Sequence, residues 1–155
     1  MKTLFIFIII NGSFLYCCQH HNSLPEKFIL SEDISDQLKD KIQENNAILY
    51  YHSGDCSICY LTLMRISEEF PEIPLVSLTS FENKGLVEYQ LEQIGFKGFS
   101  LYDTSGVFTE RNHDLLQNGN IFLIDSKYNI LCSGMNISEK ILKEIRHQHE
   151  SRWKL

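Results

Sequence analysis

Apolar and polar positions along this chain fall into a succession of short, distinct periods. Leu4 to Ile10 is an unbroken apolar run behind the basic Lys2, and Asn11-Gly12-Ser13 interrupts it. A run of that length is too short to cross a bilayer as a lasting helix, and its basic–apolar–polar order is that of an export signal. Gln19 to Pro25 is polar and reads as a tether. Ile34, Leu38 and Ile42 then recur at helical spacing between Ser31 and Asn46, with acids early and Lys39 and Lys41 later, which predicts an amphipathic helix. Ala47 to Tyr51 is a short apolar and aromatic run that predicts a buried strand. Ser53-Gly54-Asp55 turns the chain, and Cys56 opens an apolar-periodic helical segment through Ile58, Leu61, Met64, Arg65 and Phe70.

Pro71 and Pro74 stop that helix, and Leu75 to Leu78 predicts a second strand. Gly85 to Ile94 reads as helix closed by Gly95 and Gly98, Phe99 to Tyr102 as a short strand, and Phe108 to Leu116 as weakly helical. Ile121–Ile124 and Tyr128–Cys132 are two apolar runs joined by Asp125-Ser126-Lys127, the pattern of a β-hairpin. Ile137, Ile141, Leu142 and Ile145 close the chain as an amphipathic helix with Lys140, Lys143 and Arg146 outside. A βαβ opening makes parallel strands, a closing hairpin adds antiparallel ones, and helices cover both faces. The expectation is an α/β three-layer sandwich around a mixed sheet, divided as a signal over 1–17, a tether over 18–30 and one domain over 31–155.

Composition narrows the partners. Of 155 residues 43% are hydrophobic and 22% charged, ordinary for a globular domain and unlike a disordered one. The net charge is −6, or −7 once Lys2 leaves with the signal, and no Lys/Arg stripe interrupts the acidic surface. Nucleic acid is therefore not an expected partner. The five cysteines are Cys17, Cys18, Cys56, Cys59 and Cys132. Leu15-Tyr16-Cys17-Cys18 resembles the lipobox of bacterial lipoproteins, with Leu15 three residues before Cys18 and small Cys17 directly before it. That resemblance implies cleavage before Cys18 and its lipidation, with a simple secreted protein or an uncleaved anchor as the bland alternatives. Three cysteines then remain, one close pair and one bystander, Cys132, which is no disulfide framework.

The pair carries the chemistry. Thiol exchange needs a sulfur that is a good thiolate, and the unpaired N–H groups of a helix N-terminus stabilise one. Cys56 opens the helix and is expected to attack, and Cys59, a turn on and less exposed, to resolve. Half a zinc site is a rival reading, but no second CxxC or Cys/His pair lies at ligand spacing. A purely structural bridge is another, although closing so short a loop removes little chain entropy.

Ala47 through Cys59 resembles the active-site strand and turn of the thioredoxin superfamily, and Asn120–Asp125 with Asn129–Leu131 resembles its closing hairpin. The similarity is to membrane-anchored thiol–disulfide oxidoreductases and spans roughly residues 30 to 150. It implies an enzyme of the cell envelope that needs no cofactor and no metal. Its partners are then protein thiols and disulfides together with an electron donor or acceptor. Three positions depart from the pattern. Asp55 stands where the family has tryptophan, and its charge opposes the Cys56 thiolate. Gly119 or Asn120 falls where the family has a cis-proline, and Tyr50 replaces a buried acid. His52, four before Cys56, is a further modulating candidate or a structural strand end. The rivals to the enzyme reading are a scaffold of the same fold without catalysis, and a metal-handling protein using Cys56, Cys59 and His52. His20-His21 in the tether could bind metal only adventitiously, His147 and His149 fall at the last helix's C-terminus where a cation is favourable in any case, and the Asn136 sequon means little in a bacterial protein.

Overall fold

A computed structural model describes residues 26–42, 45–80 and 84–152. The signal, Cys17, Cys18 and the tether up to Pro25 lie outside the described residues. Helix α1 (Glu32–Ile42) leads into β1 (Ala47–His52), α2 (Ser57–Glu69), β2 (Leu75–Thr79), α3 (Lys84–Gln93) and β3 (Phe99–Tyr102). Two short helices, α4 (Val107–Arg111) and α5 (His113–Asn118), precede the hairpin β4 (Ile121–Ile124) and β5 (Ile130–Gly134), and α6 (Glu139–Arg152) follows.

The strands form one sheet in the order β3-β2-β1-β4-β5. β1 runs parallel to β2, and β2 to β3, as their crossover helices require. β4 pairs antiparallel with both β1 and β5. Because helices cover both faces, β2 and all of β1 but the partly covered Tyr51 are buried throughout rather than alternating. Successive side chains of β1 nonetheless serve opposite cores. Ile48 and Tyr50 pack with Leu63 and Ile66 of α2, Val87 of α3 and Ile145 of α6. Ala47 and Leu49 pack with Ile34, Leu38 and Ile42 of α1 and with Phe108 and Phe122. This is the mixed-sheet, three-layer architecture the periods predict.

The buried face of α2 is not the one its apolar stripe suggests. Tyr60, Leu63, Ile66 and the cap residue Phe70 face the core, while Ile58 is 70% and Leu61 55% exposed. Two apolar stripes interleave on this helix, and its docking against α6 selects between them. Arg65 reaches Glu139 and Glu69 reaches Arg146, so that side of α2 points at α6.

Two other departures share one cause. The weak helix over 108–116 is split at Asn112, whose amide takes the Ile29 N–H (2.8 Å) and donates to the Ile29 and Phe108 carbonyls (2.9 and 2.8 Å). Residues 26–30, grouped with the tether above, are thereby packed onto the body. Phe28 sits 3% exposed between the rings of Phe108 (5.3 Å) and Phe122 (4.9 Å). Its N–H donates to the Tyr128 carbonyl, and Ile130 donates to the carbonyl of Glu26. The chain thus joins the body beside the β4–β5 turn. That turn lies at the Ala47 end of β1, because Ala47 pairs with Ile124 and Tyr50 with Ile121.

Candidate functional site

At the opposite pole β1 ends in His52, and Ser53-Gly54-Asp55 crosses to α2. Gly54 takes φ 88°, a left-handed conformation that a side chain would strain. Cys56 follows in extended backbone (φ −97°, ψ 103°) as the N-cap of α2. No side chain caps this helix and no acid occupies its first turn, so the positive end of the helix dipole lies at Cys56 without an internal anion to offset it. Cys56 and Cys59 form a disulfide across a Cα–Cα distance of 5.3 Å, and the Cys59 N–H donates to the Cys56 carbonyl at 2.9 Å. Both cysteines are partly exposed, and Cys59 also packs on the α2-side core. Ile58 stands between them in sequence and is largely exposed.

The floor under the turn is polar, buried and uncharged. Gly54 donates its N–H to His52 Nδ1 at 3.2 Å, which makes Nδ1 an acceptor and puts the imidazole proton on Nε2. Nε2 in turn donates to Ser77 Oγ of β2 at 2.8 Å. Burial drives the His52 pKa down to about 4, so the ring is neutral at neutral pH. Tyr50 stacks on it at 5.6 Å and Tyr60 meets it edge-on at 5.5 Å. The Tyr60 hydroxyl donates to the Gly54 carbonyl at 2.7 Å. Burial raises the pKa of both phenols, and Asp55 raises that of Tyr60 further.

Of the residues singled out by sequence, Cys56, Cys59, Asp55 and His52 therefore meet at one pole. Asp55 is exposed and its carboxylate accepts the Ser53 hydroxyl. Both ring nitrogens of His52 are committed within the fold, which removes them from metal ligation and from proton shuttling in this arrangement. Among the described residues no three His, Cys, Asp or Glu side chains come together as a cation site. Gly119 and Asn120, the two positions that the resemblance sets against a cis-proline, donate their N–H groups to the Leu115 (3.1 Å) and Gly134 (3.0 Å) carbonyls, bonds proline cannot make. Cys132 lies in β5 opposite Leu123, away from the pair. Burial, and then Glu144, push its thiol up to about 12. Sequence reasoning passes over Tyr60 and Ser77 and sees in Gly54 only a turn residue. For Ser77 a signal existed, a lone hydroxyl inside the apolar run of β2.

No protein-family model matches the chain, and no curated protein is significantly similar to it. Solved structures are similar in fold. A secreted disulfide oxidoreductase of Mycobacterium tuberculosis, homologous to E. coli DsbE, superposes with a TM-score of 0.53 at 14% identity, over 70% of this chain and 85% of that one. A thioredoxin-like protein from Porphyromonas gingivalis gives 0.57 at 17% identity over 70% and 78%. The thioredoxin domain of a thiol–disulfide oxidoreductase from Bacteroides vulgatus gives 0.55 at 9% identity over 73% and 82%. The architecture is thus thioredoxin-like.

Proposed function

We propose that this protein is a thiol–disulfide oxidoreductase of the bacterial cell envelope, exported by residues 1–17 and held to a membrane through lipid on Cys18. The observation that carries the reading is the Cys56–Cys59 disulfide at the uncapped N-terminus of α2, at an exposed pole of a thioredoxin-like fold. In the reduced protein the Cys56 thiolate attacks one sulfur of a substrate disulfide, forming a mixed disulfide and releasing the other substrate sulfur as a thiolate. Cys59, as its thiolate, then attacks Cys56 Sγ, and the substrate's second sulfur leaves with the electron pair. The protein ends oxidised and the substrate reduced by two electrons, and the reverse sequence oxidises a dithiol substrate. A second dithiol or disulfide protein of the envelope resets the pair. Asp55 is the modulating charge against which the helix terminus must work.

Purified protein equilibrated with glutathione buffers is expected to show one reversible two-electron transition, lost in Cys56→Ser and Cys59→Ser alike. Cys56→Ser is expected to abolish disulfide reduction. Cys59→Ser is expected to attack without resolving and to accumulate mixed disulfides. Wild-type behaviour of both variants in reductase assays, with no trapped partner, would assign the chain to the scaffold reading instead.

A further inference from the structure

We propose that His52 is a positioning residue for exchange, acting with Tyr60 to clamp both backbone polar groups of Gly54 and so hold Cys56 at the start of α2. The inference rests on the oxidoreductase reading above and adds the device that aims its nucleophile. Gly54 is buried although its neighbours Ser53 and Asp55 are exposed, so its N–H and carbonyl must find protein partners. Both partners are side chains, one from each element flanking the turn. His52 of β1 takes the N–H, and Tyr60 of α2 donates to the carbonyl. Ser77, on the neighbouring strand, fixes which way the imidazole faces by accepting its single N–H proton, on Nε2. The two aromatic neighbours hold the plane of the ring. A path of hydrogen bonds therefore runs from β2 through His52 and Gly54 to the helix residue next to Cys59.

The clamp matters because no side chain of the described residues caps this end of α2, and in the reduced protein the disulfide no longer ties Cys56 to Cys59. Cys56 is an N-cap without a capping side-chain bond, so its extended backbone is set by the turn before it. A thiolate at this position gains from the helix N–H groups only while it is held close to them and in line with the axis. Freeing the Gly54 N–H lets the turn relax, and the Cys56 thiolate loses part of that stabilisation.

The test titrates Cys56 in reduced full-length protein, through the pH dependence of its alkylation rate by iodoacetamide, alongside thermal unfolding. His52→Phe keeps an aromatic ring but has no acceptor, and is expected to raise the Cys56 pKa by about one unit. Its thiolate fraction near neutral pH then falls about tenfold. Tyr60→Phe cuts the other tie and should shift the same pKa in the same direction. The double variant should shift it by less than the sum, because the two bonds secure one residue. His52→Asn, whose amide oxygen can accept the Gly54 N–H, should recover part of the loss. A Cys56 pKa unchanged in His52→Phe and in Tyr60→Phe, with only the unfolding temperature lowered, overturns the proposal. If His52→Phe does not fold, Tyr60→Phe with Ser77→Ala decides on the same readout. The titration needs no exchange activity, so its failure is separate from failure of the oxidoreductase reading.

Discussion

His52 makes a statement about stability as well as about the turn. Unfolded histidine takes a proton below about pH 6.5, whereas in the folded chain burial delays protonation to about pH 4. The neutral ring's contribution is therefore complete above pH 6.5 and is lost progressively as the pH falls toward 4, at most about 3 kcal/mol over the window. Denaturant unfolding of wild type and His52→Phe at pH 7 and pH 4 should show a smaller acid loss in the variant. Equal losses would remove His52 from the list of acid-sensitive groups. The cysteine pair was legible from sequence because its geometry is local, a strand end, a glycine turn and a helix start within a dozen residues. The commitment of His52 was not, because Ser77 lies 25 residues away and only strand pairing brings it near. Cys132 stands apart from that local geometry, in β5 opposite Leu123, where burial and then Glu144 raise its thiol pKa to about 12.

Among the elements, α2 offers the sharpest contrast. Its sequence contains two apolar stripes, and hydrophobicity alone does not rank them. The choice is made by partners distant in sequence, the sheet beneath and α6 beside it. Leu63 is wholly buried and Leu61 is over half exposed, so the same truncation should separate them. Leu63→Ala should cost about 2–5 kcal/mol by denaturant unfolding, and Leu61→Ala within about 0.5 kcal/mol. Comparable losses would show that the helix is rotated from the orientation described here. Strands β1 to β4, by contrast, were located nearly to the residue, because unbroken apolar runs bounded by turn residues admit few other structures, whereas β5 starts and ends two residues later than expected because Tyr128, at φ 66°, belongs to the turn. The split between α4 and α5 escaped notice because Asn112 breaks the helix to hold Ile29, a contact over 83 residues.

For the molecule as a whole, the order of elements sufficed to anticipate the layered mixed sheet, since crossover handedness and short connections leave few alternatives. Where the body begins was not legible. Phe28 opens an apolar run of only three residues, Phe28-Ile29-Leu30, too short to predict an element, and only the rings of Phe108 and Phe122 reveal it as core. The proposed anchor has its own test: Cys18→Ala should move the protein from the membrane pellet to the soluble fraction or leave it unprocessed. An unmodified N-terminus elsewhere by intact mass would retire the lipoprotein reading. If that test succeeds, the placement of the N-terminal arm fixes a working height. The arm joins the body at the pole opposite the disulfide, so β1 alone sets the cysteines about 20 Å further from the bilayer than the point of entry. Residues 18–25 add at most about 28 Å when fully extended. Partners would then be met by how far they project from the lipid surface, and a disulfide lying flush with the headgroups would be out of range unless the domain tipped over.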